Sequence, residues 1–234
     1  RDDLVTGVQT CALPILAEFF ISARHDAKGV QGEDGMVNNS MSSYKLDKIE
    51  LYTRADKIAN GGNATPIKTV HFQYDYELCP GTVNSVYHST ENPTRGKLTL
   101  KKVYFTYQNS NQGESRSYQF NYGQRWSSTN TLAQVVNPSY HNKAYDRWGN
   151  YQAFIGGQTG SVNDPLSNAE FPYVDQTETT AGSGLYNADV AACAWNLSKI
   201  EMPSGADVYI HYEADDYAFV QDRRAMQMVV VEGV

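Results

Sequence analysis

Two runs of residues decide the fold, Lys97-Leu-Thr-Leu-Lys-Lys-Val-Tyr-Phe-Thr-Tyr107 and Ser117-Tyr-Gln-Phe-Asn-Tyr122, and the polar segment Gln108-Asn-Ser-Asn-Gln-Gly113 joins them. In the second run, Tyr118, Phe120 and Tyr122 occupy alternate positions, and a period of two is the geometry of a β-strand. The joining segment has the Asn, Ser and Gly content of a turn. Residues 96–123 therefore predict two β-strands that follow one another across a polar turn.

The same pattern occurs at two other places in the chain. The three first strands begin with Leu46-Asp-Lys-Ile-Glu-Leu51, Leu100-Lys-Lys-Val-Tyr-Phe105 and Leu197-Ser-Lys-Ile-Glu-Met202. The three second strands are Val70-His-Phe-Gln-Tyr74, Tyr118-Gln-Phe-Asn-Tyr122 and Val208-Tyr-Ile-His-Tyr212. Each copy therefore combines a strand that starts with a Leu-x-Lys motif and a strand that ends in tyrosine.

The third copy has the shortest connection, Met202-Pro-Ser-Gly-Ala206. Pro203 fixes its own φ angle and Gly205 accepts a positive φ, as a tight hairpin turn requires. A further strand is predicted at residues 16–22. One or two helical turns are predicted within residues 187–195, where Asn187 or Asp189 can cap an Ala-rich run.

The copies are spaced unequally along the chain. This spacing disfavours a solenoid of constant period and favours hairpins joined by insertions of different length. We predict an all-β fold: a twisted antiparallel sheet of successive hairpins, forming an open or partly closed β-shell, with a long loop-rich insertion and at most one short helix. The middle copy is expected to extend this sheet.

The composition agrees with a β-rich globular chain. The 234 residues include 17 Tyr and 18 Gly, and only 19% are charged, which favours strands and turns over helices. The formal net charge of −7 argues against a nucleic-acid partner, whose phosphates need clustered Lys and Arg. No apolar run approaches the length of a membrane helix, so we expect no membrane span in this fragment.

Residues 5–15 resemble the translation of a sequencing-library adapter, and residues 1–15 are therefore interpreted as non-native. A secretory signal is the alternative, but Arg1-Asp2-Asp3 is net acidic and no apolar core of signal length follows it. Residues 16–234 are predicted to form a single β-rich domain that is a fragment of a longer chain. The loop-rich insertion covers about 124–194, and such length is typical of a lid, a binding loop or a mobile insertion.

No arrangement of residues in the sequence predicts catalysis, a cofactor or a metal. The histidines at positions 25, 71, 88, 141 and 211 have no metal-ligand spacing. Two of them, His71 and His211, are interpreted as exposed residues on the polar sides of their strands. Cys79 and Cys193 are expected either to form one disulfide or to remain buried thiols.

Clustered carboxylates raise the alternative of a glycosidase pair or a calcium site. The clusters are Glu213 with Asp215 and Asp216, and Asp164 with Glu170. A glycosidase needs two carboxyl groups held at a fixed distance across the substrate, and closeness in sequence does not fix that distance. The Asp-x-Asp-x-Asp-Gly loop of an EF-hand is also missing, so a solvated turn is the favoured interpretation.

Aromatic residues are crowded into the loop-rich insertion beside Asn and Asp. Stacked rings with polar neighbours are typical of sugar recognition, although aromatic rings more often serve packing. The candidate contacts for a glycan or a partner are Trp126, Tyr140, Tyr145, Trp148 and Tyr151.

One segment, Tyr145-Asp-Arg-Trp-Gly-Asn150, resembles the Tyr-Asp-x-x-Gly-Asn/Arg core of the YD repeats in Rhs-type bacterial proteins. In such a turn, Asp146 can accept hydrogen bonds from backbone amides and Gly149 supplies the unusual φ. Residues 197–212 are similar to a sequence pattern that recurs in these proteins: a strand, a Pro-x-Gly turn and a second strand that ends in Tyr. The likeness covers the hairpins, and the long loop at 156–192 departs from it.

The resemblance implies a large secreted or cell-surface bacterial protein, whose repeats form a curved sheet that can enclose another polypeptide. It implies other segments of the same polypeptide as partners, and it brings no catalytic residues. The expected function is that of a non-enzymatic scaffold segment without a cofactor. The alternative is a carbohydrate-binding β-domain that binds a surface glycan through the loop aromatics, and a weaker alternative is a glycoside hydrolase fragment.

Overall fold

The structure is a computed structural model and describes residues 14–31, 36–38, 42–141, 144, 151, 188–213, 219–220 and 223–224. Its strands are β1 (Ile15–Ala23), β2 (Gly29–Gln31), β3 (Met36–Asn38), β4 (Tyr44–Thr53), β5 (Lys68–Leu78), β6 (Lys97–Thr106), β7 (Tyr118–Tyr122), β8 (Gln124–Trp126), β9 (Leu132–Val135), β10 (Leu197–Glu201), β11 (Asp207–Tyr209), β12 (Phe219–Val220) and β13 (Arg223–Arg224). The helices are α1 (Arg54–Asn60) and α2 (Ala188–Ala192), with 3-10 turns at Gly61–Asn63 and Gln112–Ser115.

One antiparallel sheet dominates the fold, and its seven strands follow the order β1-β4-β5-β6-β7-β10-β11. The three predicted hairpins are consecutive pairs in it: β4 with β5, β6 with β7, and β10 with β11. Neighbouring copies are joined by β5 with β6 and by β7 with β10. The predicted antiparallel sheet of successive hairpins is therefore confirmed. It is open, since β1 and β11 each have a partner on one side only among the described strands.

The first strand of each copy carries one extra residue relative to the strand that precedes it in the sheet. The extra residues are the middle members of the three Leu-x-Lys motifs, Asp47, Lys101 and Ser198. In the third copy, Leu197 pairs with Tyr122 while Lys199 pairs with Asn121, which leaves Ser198 unpaired as a bulge. Because a bulge increases the local right-handed twist, the repeated motif twists the sheet at the same point in every copy.

The tyrosine that ends each second strand is bonded to the leucine that begins the first strand of its own copy. The three hydroxyl-to-carbonyl hydrogen bonds are Tyr74 to Leu46 at 2.9 Å, Tyr122 to Leu100 at 2.7 Å and Tyr212 to Leu197 at 2.7 Å. Burial raises the pKa of all three hydroxyls. The copies thus share an internal contact in addition to their sequence pattern.

Strand alternation gives the sheet one apolar face. Residues directly opposite each other on neighbouring strands lie on the same side of a sheet. The rows of this apolar face are Phe19-Ile49-Val70-Phe105, Phe72-Val103-Tyr118 and Phe120-Ile200-Val208. Its central members are half-buried, whereas Phe19 near the β1 edge is 65% exposed and Val208 on β11 is 42% exposed.

The other face is polar and carries charged residues in pairs. Its ion pairs include Lys48 with Glu50 at 2.6 Å, Lys101 with Asp75 at 3.4 Å and Lys199 with Asp207 at 2.9 Å. Such partly exposed pairs contribute little stability. Glu50, Thr69 and Thr106 form one row of this face, and both threonines are buried. The apolar face holds the hydrophobic side chains that favour burial.

Two short helices flank the sheet. Helix α2 lies inside the interval 187–195 in which helical turns were predicted. The seven-residue α1 was not predicted, although its capping signal is in the sequence: Thr53 accepts a hydrogen bond from the amide of Asp56 at 3.1 Å. Its C-cap is Gly61 at φ 56°. None of the described helices is long and apolar enough to cross a membrane.

The best-buried apolar cluster lies beside the sheet, where the predicted insertion returns to it. Val136, Val190, Cys193 and Ala194 form this cluster, and each is less than 9% exposed. The insertion also contains the hairpin of β8 and β9, so its first part is regular structure. Cys79 and Cys193 are both free and buried, which leaves the thiol alternative of the sequence analysis.

Candidate functional site

A cavity of about 590 Å³ lies where the end of β5 and the start of β6 meet the insertion. Its lining is rich in aromatic rings, with Tyr122, Tyr140, Tyr151 and Trp195. The described lining also contains Lys97, Thr99 and His141, which offer hydrogen-bonding groups, and the apolar side chains of Leu78, Leu98 and Leu100. A volume of this size fits a small organic ligand.

Backbone hydrogen bonds hold the aromatic wall in place. The amide of Tyr140 donates to the carbonyl oxygen of Pro80 at 2.7 Å, which ties the insertion to the connection after β5. The indole of Trp195 donates to the carbonyl oxygen of Pro138 at 2.9 Å. Its ring meets Tyr151 edge to face, with centroids 4.9 Å apart. The wall is therefore assembled from three separate parts of the chain.

The cavity offers groups for stacking and for hydrogen bonding. The hydroxyl of Tyr122 is already used in its bond to Leu100. Cys79 lines the cavity, and nearby Cys193, whose pKa burial raises, donates its thiol to the carbonyl oxygen of Val190. Rings such as Tyr140, which is 38% exposed, can stack on a ligand, and the exposed amine of Lys97 can bond its polar groups. The buried hydroxyl of Thr99 already donates to the carbonyl oxygen of Lys97 at 2.9 Å.

The structure separates the aromatic candidates named from the sequence. Tyr140 and Tyr151 line the same cavity. Trp126 lies elsewhere, on the charged face: its ring meets Tyr209 edge to face at 4.8 Å, and its indole donates to the carbonyl oxygen of Ser198 at 3.1 Å. Tyr145 and Trp148 lie outside the described residues.

The turn residues divide in the same way. Asp146 and Gly149 lie outside the described residues. Pro203 and Gly205 lie in the turn between β10 and β11, where Gly205 has a φ of 84° and the amide of Met202 donates to the carbonyl oxygen of Ala206 at 2.8 Å. Gly205 thus adopts the left-handed conformation that the sequence suggested.

Trp195 and Tyr122 belong to the cavity but were not named as candidates. In the sequence, Tyr122 is the last residue of a predicted strand and Trp195 ends a predicted helical run. Trp195 has a φ of 58°, an uncommon conformation for a bulky residue. An aromatic residue three positions after the short Ala-rich helix α2 is the one local signal for its position.

The remaining charged and titratable candidates are placed as follows. Glu213 is exposed, and the other four carboxylates of the two predicted clusters lie outside the described residues. His211 is exposed, as predicted. His71 is half-buried, contrary to the prediction, because its ring stacks on Tyr104 at 4.5 Å and its Nε2 lies 2.8 Å from the hydroxyl of Thr106. Desolvation lowers the pKa of His71.

One group of side chains in the described residues can hold a metal ion, namely His25, His88 and Glu91. No spacing in the sequence indicates it, since the fold brings together residues from two distant loops.

Comparison with known proteins found no match: no protein-family model, no curated protein and no solved structure is significantly similar to this chain.

Proposed function

We propose that this chain is a non-enzymatic sheet segment of a large exported bacterial protein of the Rhs or YD-repeat type, in which it forms part of a β-shell at the cell surface or outside the cell. Its partners are other segments of the same polypeptide, which continue the sheet, and a polypeptide enclosed by the shell. The resemblance of residues 145–150 and 197–212 to such proteins motivates the proposal.

The observation that carries the proposal is the repeated tyrosine-to-leucine hydrogen bond. Three copies with unequal loops keep the same bond, between 2.7 and 2.9 Å, and the same bulge after the leucine. A module that tolerates insertions of different length while keeping its internal contacts is suited to building a long sheet. Neighbouring copies also meet in the same register. The final tyrosine of one copy pairs with the first leucine of the next copy, as Tyr74 of β5 pairs with Leu100 of β6.

The open edges and the apolar face support the same interpretation. Strands β1 and β11 expose backbone donors and acceptors that another strand can pair with. The apolar face is most exposed near these two edges, at Phe19, Ile21 and Val208. A continued sheet and a packed interior would remove this apolar surface from water.

Hydrogen exchange on the 234-residue chain and on the complete protein tests this proposal. We expect the outward-facing amides of β1 and β11 to exchange quickly in the 234-residue chain and to be protected in the complete protein, because neighbouring copies pair with them. The inner amides of β6 serve as the internal control, since they are paired in both. Equal exchange of β1 and β11 in the two proteins would contradict the proposal.

A second candidate function is carbohydrate binding, and the aromatic cavity is the observation that favours it. Tyr140 and Tyr151 lie with Trp195 on its wall, beside the exposed amine of Lys97. Sugar rings stack on such aromatic surfaces while their hydroxyls bond polar neighbours. A glycan array with the 234-residue chain identifies a ligand if one exists.

A Tyr140→Ala variant then tests whether the cavity binds the glycan. We expect about a tenfold weaker affinity, since loss of one stacking ring removes on the order of 1.4 kcal/mol. Tyr87→Ala is the matched control, because Tyr87 is 62% exposed and is not among the residues that line the cavity. An array without binding, or unchanged affinity in Tyr140→Ala, assigns the aromatic wall to packing.

A further inference from the structure

We propose that His25, His88 and Glu91 form a binding site for a divalent transition-metal ion of the zinc type. The proposal is independent of the scaffold function, because it concerns two loops that lie beside the sheet. One nitrogen from each histidine and one carboxylate oxygen of Glu91 all lie within 4.8 Å of one another. Two imidazoles and a carboxylate are a donor set that zinc uses when one coordination position stays open to water.

The donor atoms of His25 and Glu91 are as close as in a site that holds an ion, and the other donor pairs lie within 4.8 Å. Ligand bonds of about 2.0–2.2 Å in tetrahedral geometry place donor atoms about 3.4 Å apart. Nε2 of His25 already lies 3.1 Å from Oε2 of Glu91. The rings of His25 and His88 stack with centroids 4.5 Å apart and an angle of 24° between their planes. A bound ion lies close to the plane of each ligating imidazole, so the two rings must turn out of this stack to share one ion.

His88 and Glu91 are held by a tight turn whose anchor is Asn92. His88 and Asn92 exchange two backbone hydrogen bonds of 3.1 Å. The Asn92 side chain is fully buried, donates to the hydroxyl of Ser85 at 2.7 Å and accepts from the amide of Gly96 at 2.8 Å. Two of the three ligands therefore stand on backbone that is fixed before an ion binds.

His25 is held against this turn from the other side. Its amide donates to the hydroxyl of buried Tyr76 at 3.0 Å, and its carbonyl oxygen accepts from the amide of Val86 at 2.9 Å. Its side chain is 23% exposed and that of Glu91 is 57% exposed, so an ion can reach the site from solvent. The ligands thus combine a fixed backbone with an accessible face.

The second ring nitrogen of His88 has a partner for the metal-bound state. Nδ1 of His88 accepts from the amide of Glu91 at 3.1 Å and lies 3.3 Å from the hydroxyl of Thr90. An ion bound at Nε2 requires the proton on Nδ1, where the Thr90 hydroxyl can accept it. A protonated Nδ1 cannot accept from the amide of Glu91, so the His88 ring must rotate away from this amide, and water can solvate the amide because the hydrogen bond is exposed. Thr90 becomes the partner that orients the ligand.

The donor types select the class of metal. Imidazole suits Zn²⁺, Ni²⁺ and Cu²⁺, whereas Mg²⁺ and Ca²⁺ prefer sites made of oxygen ligands. The ion would tie His25, which follows β1, to the connection between β5 and β6. Because the site exists only in the folded chain, a bound ion stabilises that fold. We infer that the bound ion cross-links the loop after the edge strand β1 to the connection between β5 and β6.

Titration of the metal-free 234-residue chain with Zn²⁺, by calorimetry and by thermal unfolding, tests the site. We expect one ion to bind per chain and the Tm to rise with Zn²⁺ concentration. Co²⁺ serves as the spectroscopic probe: its visible bands should appear without the near-ultraviolet bands of a thiolate ligand. His25→Ala and His88→Ala should abolish both effects, and Thr90→Val should weaken binding about tenfold.

Two further variants keep the test decisive. Glu91→Gln changes an exposed side chain and should fold normally, so a loss of Zn²⁺ binding in it reports on ligation alone. His211→Asn is the matched control, since His211 is an exposed histidine outside the cluster, and its Zn²⁺ affinity should equal that of the parent chain. Absence of Zn²⁺ binding, thiolate bands with Co²⁺, or unchanged affinity in Glu91→Gln, His25→Ala and His88→Ala would each overturn the proposal.

Discussion

The hydroxyl of Tyr122 donates a hydrogen bond of 2.7 Å to the carbonyl oxygen of Leu100, across the hairpin of β6 and β7. The bulge at Lys101 directly follows this leucine. A bulge disrupts the ladder locally, and a tyrosine hydroxyl is long enough to reach a carbonyl group beside it from the neighbouring strand. The Leu-x-Lys motif and the final tyrosine therefore act together: the motif forms the bulge, and the tyrosine bonds the carbonyl group beside it.

Removal of the Tyr122 hydroxyl tests how much this hydrogen bond stabilises the fold. We expect Tyr122→Phe to lower the free energy of unfolding by about 1 kcal/mol, the usual net value of a hydrogen bond whose acceptor is partly buried. Tyr74→Phe and Tyr212→Phe should have losses of similar size, since they break the equivalent bonds. Urea unfolding monitored by circular dichroism measures the difference.

Tyr44→Phe is the control for these variants. Tyr44 lies at the start of β4 and is 64% exposed, so loss of its hydroxyl should change the stability by less than about 0.5 kcal/mol. A loss in Tyr44→Phe as large as in Tyr122→Phe would show that the hydroxyl-to-leucine bond has no special role.

The bulge residue of the third copy differs from its equivalents in being fully buried. The hydroxyl of Ser198 accepts from the amide of Gln124 at 3.0 Å and donates to the carbonyl oxygen of Asn121 at 3.0 Å. We expect Ser198→Ala to cost about 2 kcal/mol, because it removes a fully buried hydroxyl that makes two hydrogen bonds and leaves the partly buried amide of Gln124 without this acceptor. Thermal and urea unfolding give this value.

Lys101→Ala is the matched variant, because Lys101 occupies the same position of the motif in the second copy. Its ion pairs with Asp75 and Glu77 are partly exposed, at 3.4 and 3.3 Å, and should contribute less than about 0.5 kcal/mol. Equal losses in the two variants would mean that the bulge itself, and not the buried hydroxyl of Ser198, determines the cost.

The sequence predicted the hairpins because their information is local. Aromatic residues at alternate positions, Tyr118, Phe120 and Tyr122, are enough to indicate a strand within one short segment. Pro203 and Gly205 in the same way indicate a turn. The bulges were not predicted, since a one-residue offset depends on the neighbouring strand. Helix α1 was missed because the Thr53 cap precedes only seven helical residues.

The candidate sites could be predicted only in part, for the same reason. Tyr140 was named because it lies in an aromatic-rich loop, but its neighbour Trp195 comes from the other end of the insertion. His25 and His88 lie in loops after different strands, and no spacing in the sequence indicates that the fold brings them together. Contacts between distant segments are set by the path of the backbone.

Glycine 96, at the start of the stretch that decides the fold, allows a close approach of two strands. A Cβ atom at Gly96 would lie 1.9 Å from the carbonyl oxygen of Tyr76 and 2.8 Å from that of Leu78, both backbone atoms. We expect Gly96→Ala to destabilise the chain by about 3 kcal/mol, since the strands must separate locally. Gly62→Ala is the control, because nothing lies within 4 Å of its added atom. Similar Tm values for the two variants would refute the close approach.

The buried carboxylate of Asp26 should make the stability depend on acid pH. Its side chain is 4% exposed, and it accepts from Arg24 at 2.9 and 2.7 Å and from the amide of Leu98 at 2.9 Å. Burial alone would raise the pKa of Asp26, but these donors outweigh it and hold the pKa below the ordinary value of 3.8.

A lowered pKa in the folded state means that Asp26 stabilises the fold above its unfolded pKa of about 3.9, and that this contribution is lost as the pH falls toward its folded pKa. We therefore expect Asp26→Asn to cost about 2 kcal/mol at pH 7, as for a hydrogen bond to a charged group. The difference from the parent chain should shrink below about pH 4. Urea unfolding between pH 7 and pH 2.5 measures both the cost and its pH dependence. Asp207→Asn is the control: it weakens a partly exposed pair with Lys199 and should change stability much less at every pH. A stability difference for Asp26→Asn that stays constant down to the lowest pH would contradict the assignment of a charged, buried Asp26.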